Sequence, residues 1–202
     1  MKKVSCLRKR IKFLSIFLVM TLLLAACGTP EKEGIPDATD WELGDFSYTN
    51  QEGNTFGLKD MKGDITVASL IFTSCTTVCS PITANLAKLQ RMSEEEGLNV
   101  HFLSFSVDPE VDTPEKLTEF GNKFEADYTK WNFLTGYSQE EIETFGPENF
   151  KTIVAKPKNG GEVVHGTSIY LIDQEGTIVK SYDGLDVPFE EILEHVKILQ
   201  EQ

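Results

Sequence analysis

Two cysteines separated by three residues, Cys75 and Cys79, are the side chains best suited to chemistry in this sequence. They follow an apolar, β-branched run over residues 65–71 that predicts a buried strand. They precede residues 82–92, whose apolar positions recur at helical spacing. We therefore expect both thiols at a strand-to-helix turn, on one face of the first helical turn. The unpaired N–H groups and the dipole of a helix start favour thiolate, so both sulfurs should be unusually reactive.

Three interpretations of this pair stay open on spacing alone. A structural disulfide is one, because extracytoplasmic cysteines usually pair. A redox-active dithiol is the second, although thioredoxin-like motifs place two residues between their cysteines rather than three. A soft-metal site is the third, since two thiolates suit Cu(I) and one more ligand would suit Cu(II). A third ligand elsewhere in the chain would decide between them.

The elements that must position these cysteines follow an α/β pattern. Strands are predicted over residues 65–72, 100–107 and 131–134, hairpins over 46–56 and 168–182, and helices to about 96, from 114, from 139 and over 187–199. This order predicts a thioredoxin-like α/β fold with an N-terminal β-hairpin extension. Functional groups in such sheets gather at the carboxyl ends of strands. Asp108, which directly follows a strand, should therefore lie at the same edge as the cysteines.

Of the three histidines, His165 is the best candidate for the third ligand. It lies just before the strand that begins at Ser168, and in a thioredoxin-like fold that loop faces the cysteine turn. His195 is surrounded by glutamates in the terminal helix, and we expect it on a solvated face. His101 begins a core strand and is expected to be a polar residue of the strand end. Two thiolates and the His165 imidazole would complete a soft-metal site.

The amino terminus has the three parts of a bacterial export signal. Six basic residues precede an apolar core over residues 13–24, which is short for a transmembrane helix. Residues 24–27 then read Leu-Ala-Ala-Cys, which resembles the lipobox of bacterial lipoproteins. We expect residues 1–26 to be removed and Cys27 to be lipidated, with an uncleaved signal anchor as the alternative. Cys6 would leave with the leader.

The remaining chain is strongly acidic. The whole sequence has 19 Lys and Arg against 32 Asp and Glu, for a net charge of −13. Loss of the six basic leader residues leaves 13 against 32, or −19. Such a domain should bind neither nucleic acid nor anionic lipid through its charge. We expect residues 27–39 to form a flexible tether and residues 40–202 to form one domain, which acts as a monomer.

Three linked motifs give the chain a family resemblance. They are the Cys75-x-x-x-Cys79 pair, the run from Asp108 to Pro114, and His165-Gly-Thr leading into the strand at Ser168. In this order and spacing, behind a lipobox, they resemble the Sco/SenC family of thioredoxin-like copper proteins. Two departures are visible, since many members have Pro directly after the second cysteine and Ser or Thr after the histidine.

The resemblance implies a metallochaperone rather than an enzyme. It implies that Cys75, Cys79 and His165 bind copper as Cu(I) or Cu(II) and that Asp108 supports the site. The leader and the lipobox predict that the protein resides outside the cytoplasm on a lipid anchor. The implied partner is subunit II of a cytochrome c oxidase, whose dinuclear copper centre such proteins help to assemble.

The main rival function is a membrane-anchored thiol–disulfide oxidoreductase that uses Cys75 and Cys79 as a redox pair. A general thioredoxin is disfavoured because Thr167 stands where thioredoxins carry a cis-proline. A peroxiredoxin is disfavoured because no Pro-x-x-x-Thr-x-x-Cys pattern precedes either cysteine. An interaction protein with a structural disulfide is the third alternative.

Overall fold

The protein is described here over residues 34–202 by a computed structural model. That part of the chain contains ten strands and five helices. In chain order they are β1 (Trp41–Glu42), β2 (Ser47–Asn50), β3 (Thr55–Gly57), α1 (Leu58–Met61), β4 (Ile65–Ile71), α2 (Cys79–Glu95), β5 (Val100–Ser106), α3 (Pro114–Asn122), β6 (Trp131–Thr135), α4 (Gln139–Phe150), β7 (Val154–Ala155), β8 (Val164–His165), β9 (Ser168–Ile172), β10 (Thr177–Asp183) and α5 (Phe189–Gln200).

Strand β4, which leads into the cysteines, lies at the centre of the fold. All seven of its residues are buried, as expected for a strand covered on both faces. It pairs in parallel with β5 and antiparallel with β9. Its one serine, Ser69, lies 3.0 Å from the hydroxyl of Ser104, which also accepts a hydrogen bond from the Trp131 indole at 3.1 Å. The two serines and the indole are therefore paired, whereas the buried hydroxyl of Thr66 in the same strand has no hydrogen-bond partner within residues 34–202.

The main sheet has eight strands in the order β1-β10-β9-β4-β5-β6-β2-β3. Its central part, β10-β9-β4-β5, combines one parallel pair with two antiparallel pairs. This arrangement confirms the thioredoxin-like fold. The hairpin of β2 and β3 adds to the far edge through β6, which confirms the predicted N-terminal hairpin extension.

Helix starts follow the capping residues in the sequence. The Thr113 side chain accepts the N–H of Lys116 at the start of α3, with Pro114 as the first helical residue. Ser138 accepts the N–H of Glu141 at the start of α4 in the same way. Gly97 has a φ of +70°, a conformation that glycine adopts at little cost, and it turns the chain from α2 towards β5.

The end of the predicted tether packs on the domain. Ile35 is buried with an exposed fraction of 2%. The backbone N–H of Thr39 donates to Val179 O at 2.8 Å, and the Thr39 hydroxyl donates to Ile178 O at 2.5 Å. Residues 34–39 are thus part of the folded unit, because β10 provides partners for them. The leader, Cys6, Cys27 and residues 28–33 lie outside the described residues.

Three short strands were not predicted. They are β1, which joins the edge of the main sheet beside β10, and the separate two-stranded ribbon of β7 and β8. Each has only two residues, too few for an apolar alternation to be recognised. No helix in residues 34–202 has the length and apolar character to cross a bilayer.

Candidate metal centre

The turn that carries Cys75 runs from the end of β4 to the start of α2. Cys79 is the first residue of α2, and Val78 is its N-cap. Cys75 lies upstream of the helix, where its N–H donates to Phe72 O at 3.3 Å. The prediction that both cysteines share one helical turn is therefore wrong for Cys75. The chain leaves β4 in a turn before the helix begins, so only Cys79 has a helical position.

The two thiols lie close together in different environments. Cys75 Sγ accepts the Cys79 N–H at 3.4 Å and lies 3.7 Å from the Thr77 hydroxyl. Burial alone would raise the pKa of Cys75, but these hydrogen bonds, with one from the Cys79 thiol, outweigh burial and lower it. Cys79 is fully buried, and burial raises the pKa of its thiol, as does hydrogen bonding to Cys75. Enhanced acidity is thus confirmed for Cys75 and wrong for Cys79.

His165 faces Cys79 as the sequence predicts. Its Nε2 lies 3.5 Å from Cys79 Sγ, and its Nδ1 lies 2.7 Å from Gly166 O. A carbonyl oxygen only accepts, so Nδ1 carries the proton and neutral His165 directs the Nε2 lone pair at the thiol. Burial lowers the pKa of His165 below its ordinary value, which keeps the ring neutral. Phe72 packs edge-on against the ring, with centroids 5.6 Å apart.

A close backbone approach explains the glycine that follows His165. A Cβ on Gly166 would lie 2.2 Å from Thr152 Oγ1 and 3.2 Å from Thr152 Cβ. Thr152 precedes β7, whose Val154 pairs with His165 across the ribbon. The side chain of Thr152 occupies the space that Ser or Thr would need at position 166, which explains why this chain has glycine there.

Asp112 is a buried carboxylate that holds the turn before Cys75. It has an exposed fraction of 0% and accepts the Thr73 N–H at 3.2 Å, the Thr73 hydroxyl at 2.5 Å and the Ser106 hydroxyl at 2.6 Å. Burial raises the pKa of Asp112, while the bonds from Ser106 and Thr73 oppose that shift. Sequence reasoning did not assign this role. The signal was present, since Asp112 lies in the motif that begins at Asp108.

Asp108, the predicted supporting residue, forms an ion pair at the edge of the site. The Lys156 ammonium lies 2.7 Å from Asp108 Oδ1 and 2.9 Å from Glu110 Oε2. The Ser106 hydroxyl accepts the Asp108 N–H at 3.1 Å. The Asp108 carboxylate thus contacts the segment before His165 through Lys156 rather than a thiol. The proximity of both carboxylates raises the pKa of Lys156, so it stays charged.

The other histidines lie away from the cysteines. His101 is the second residue of β5, and its Nε2 lies 3.6 Å from Asp64 Oδ1, as expected for a polar residue at a strand end. The expectation that His195 is solvated is wrong, since its exposed fraction is 5%. Its Nδ1 lies 2.7 Å from the Tyr182 hydroxyl. The apolar face of α5 turns His195 inward, and the tyrosine provides a partner for its ring.

The donor set fits copper in chemistry but is not preassembled. Two thiols and one imidazole are soft ligands of the kind that hold Cu(I) and, with the nitrogen, Cu(II). Among residues 34–202, no three Cys, His, Asp or Glu side chains already surround a single position suited to a metal ion. Both cysteines are free thiols. Cys79 and His165 form the close pair, and Cys75 is its neighbour.

Three exposed apolar side chains lie on segments that adjoin or pair with the His165 segment. The large hydrophobic residues that stand exposed in the described part of the chain are Ile153 at 61%, Val164 at 52% and Leu185 at 46%. Ile153 directly precedes β7, and Val164 directly precedes His165. Leu185 follows Gly184, whose N–H donates to Thr167 O at 3.1 Å. We call these three residues the apolar rim.

Comparison with known proteins gives a consistent result. The sequence profile of the SCO1/SenC family matches residues 36–201. The chain is 50% identical to a SCO1/SenC family lipoprotein from Bacillus anthracis, whose crystal structure superposes with a TM-score of 0.80 over 83% of this chain and 99% of that one.

Two further solved structures are similar. BsSco, described as a member of the Sco family of cytochrome c oxidase assembly proteins with a disulfide switch, is 40% identical and gives a TM-score of 0.75 over 82% of this chain and 96% of its own. ScoI from Arabidopsis thaliana, crystallised with copper bound, is 27% identical and gives a TM-score of 0.66 over 79% and 98% of the two chains.

Proposed function

The chain belongs to the SCO1/SenC family, and from this premise we propose that it binds copper and helps to assemble the dinuclear copper centre of a cytochrome c oxidase. The observation that carries the proposal is the contact between Cys79 Sγ and His165 Nε2 at 3.5 Å, with the Cys75 thiol beside it. Copper-bound ScoI and the assembly role given for BsSco support the same conclusion.

The proposed ligands are Cys75, Cys79 and His165. Bound copper would be the cargo, and these residues supply two sulfurs and one nitrogen for it. Cys75 is the more acidic thiol and is ready to bind as thiolate, whereas Cys79 has to lose a proton that burial retains. The neutral Nε2 of His165 lies beside the Cys79 thiol. It could either accept the proton that Cys79 loses or, without that proton, bind the metal.

Asp108 and Asp112 are proposed to support the ligands without binding copper. Asp112 fixes Thr73 and therefore the turn that presents Cys75. Asp108 fixes Lys156 in the segment that leads to His165. Outer groups of this kind orient metal ligands and commonly affect affinity by about 10- to 100-fold when removed.

The proposed partner is subunit II of the oxidase. A metal passes between two proteins only when the ligands of both reach it, so the partner has to cover the surface around His165. The apolar rim (Ile153, Val164 and Leu185) provides such a surface, because exposed hydrophobic groups next to a site are typical of contact regions. The protein itself is proposed to act as a monomer and to turn over no substrate.

The proposed location is the outer side of a bacterial membrane. Residues 1–26 would be the lipoprotein leader, Cys27 the lipidated residue, and the segment before residue 34 the tether of the copper-binding domain. The B. anthracis lipoprotein of this family supports that arrangement. Acyl chains stabilise membrane binding by about 0.8 kcal/mol per buried methylene. The acidic domain would gain no such stabilisation from its charge on an anionic membrane.

A thiol–disulfide oxidoreductase remains the second candidate. The observation that favours it is the Cys75 thiol, whose pKa is lowered by hydrogen bonds, next to the buried Cys79 thiol, which is the arrangement of an attacking thiol and its resolving partner. The disulfide switch described for BsSco is in line with such chemistry in that relative.

Cells in which His165→Ala replaces the natural protein separate the two functions. Copper delivery needs the imidazole for Cu(II), whereas disulfide exchange needs only the two sulfurs. We expect His165→Ala to lose oxidase activity at limiting copper and to regain part of it with added copper. His101→Gln, which changes a histidine outside the site, should respire normally. Normal oxidase activity in His165→Ala, shown to bind Cu(II) poorly, would reject copper delivery and favour the reductase.

A further inference from the structure

The position of His165 depends on a ribbon outside the main sheet. Strands β7 and β8 pair through two residues each, with Val154 opposite His165 and Ala155 opposite Val164. A ladder of this length is weak by itself. The eight residues that connect the two strands, 156–163, therefore need other contacts to hold them against the domain.

One end of this connection is firmly attached. The Lys156 ammonium contacts the carboxylates of Asp108 and Glu110 at 2.7 and 2.9 Å. The backbone N–H of Lys156 donates to Glu143 Oε1 at 2.7 Å. Three acceptors from two different parts of the chain thus fix the beginning of the connection.

At the other end, the side chain of Val163 is buried, and Glu162 beside it makes a polar contact. Glu162 Oε1 accepts the backbone N–H of Thr76 at 2.8 Å and the Thr76 hydroxyl at 2.7 Å. Thr76 directly follows Cys75, and Glu162 lies three residues before His165. These two hydrogen bonds, which we call the clasp, therefore join the cysteine turn to the histidine ribbon.

The chemistry of the clasp suits a contact that both forms and opens. Hydrogen bonds to an ionised carboxylate are shorter and stronger than those to a neutral acceptor. Both partners are nevertheless exposed, so water competes for the same groups. The turn beside it contains Gly160 and Gly161, with φ of +82° and +122°, which neighbouring side chains do not confine.

We propose that Glu162 is a positioning residue that holds the His165 ribbon over the cysteine turn and so controls how long Cu(II) is retained. This inference rests on the proposed copper function. Opening the clasp would leave buried Val163 as the anchor of this end, so the ribbon would be looser and His165 could move further from Cys79. Cu(II) would lose its nitrogen ligand, whereas Cu(I) would keep both sulfurs. A partner that displaces Glu162 from Thr76 would thereby favour release.

The clasp can be tested first without metal, by amide hydrogen exchange in the copper-free domain. Exchange of the Thr76 N–H should be about three- to tenfold faster in Glu162→Ala than in the parent, and Glu162→Gln should be intermediate because its amide oxygen still accepts without charge. Glu119→Ala, which removes an exposed carboxylate of α3, should leave Thr76 unchanged. Equal exchange in the parent and Glu162→Ala would overturn the clasp.

The role in retention is tested by transfer of Cu(II) from the loaded domain to a chelator. Glu162→Ala should release Cu(II) about three- to tenfold faster than the parent or Glu119→Ala, with release of Cu(I) changed less than twofold. Thr76→Val should accelerate release of Cu(II) in the same direction, and the double variant should add little to Glu162→Ala. Unchanged Cu(II) release in Glu162→Ala would overturn the proposal. A parent that takes up no copper would overturn the proposed function instead. The exchange experiment needs no metal, so it tests the clasp separately from the copper function.

Discussion

At the scale of single residues, the two cysteines differ in their surroundings. Cys75 accepts hydrogen bonds next to the start of α2, whereas the side chain of Cys79 is buried. The N–H of Cys79 points at Cys75 Sγ, so the thiolate of Cys75 is stabilised. Cys79 begins α2, but its sulfur lies in the core, where charge is costly. The sequence spacing could not separate these roles, since both residues precede the same helix.

This difference predicts an order of alkylation. In the reduced, copper-free domain at pH 7.5, iodoacetamide should modify Cys75 well before Cys79, because Cys75 is both more acidic and more accessible. Peptide mass spectrometry at short times would show which thiol carries the label. The Cys75→Ser variant should react slowly at its remaining cysteine. Equal rates at the two thiols would contradict the assignment.

His165 predicts a pH dependence of stability. Burial lowers its folded pKa below the unfolded value of about 6.5, so the unfolded chain takes up a proton first as the pH falls. Protonation therefore favours unfolding below about pH 6.5. The free energy of unfolding of the parent minus that of His165→Gln should become smaller between pH 7.5 and 5.5. Urea titrations measure it, and a difference that grows on acidification would refute the prediction.

At the scale of elements, the long segments could be predicted and the short ones could not. Buried strands such as β4 and capped helices such as α3 have many residues that agree on one structure. The ribbon of β7 and β8 has four residues, and its position depends on contacts distant in sequence, such as Val154 with His165. The role of Asp112 could not be predicted for the same reason, because its partner Thr73 lies 39 residues away in the sequence.

The ribbon predicts a compensating pair of substitutions. Gly166→Ala should lower the free energy of unfolding by about 1 to 3 kcal/mol, because its Cβ would overlap Thr152 Oγ1. Adding Thr152→Ala removes that oxygen and should restore part of the loss. Denaturant unfolding of the two single variants and the double variant gives the coupling. Strictly additive effects would show that the close approach does not constrain this position.

At the scale of the whole molecule, the proposed copper ligands lie at one edge of the main sheet, and the chain is strongly acidic. The fold and the approach of His165 to the cysteine turn could be predicted because the family motifs lie at strand ends. The sequence could not predict that only Cys79 and His165 form a close pair, because the position of Cys75 depends on the turn that follows β4. The net charge of −13 disfavours attachment to anionic lipid through the protein surface.

Attachment can be tested directly in cells. Cys27→Ser should leave the protein unprocessed or released from membranes, because no acyl chain would be added. Fractionation followed by detection of the domain measures this, and Cys6→Ser, which changes a cysteine of the leader, should behave as the parent. A Cys27→Ser protein that is processed and still bound to membranes as tightly as the parent would refute lipid anchoring.

The central claim is that Cys75, Cys79 and His165 bind copper together, and Cu(II) titration of the reduced domain tests it most directly. Visible and electron paramagnetic spectra should show one Cu(II) with a sulfur-to-copper charge-transfer band. Cys75→Ser or Cys79→Ser should abolish that band, and His165→Ala should weaken Cu(II) binding strongly while Cu(I) is still held by the two sulfurs. His101→Gln should match the parent. A charge-transfer spectrum that persists unchanged in any of the three ligand variants would contradict the account.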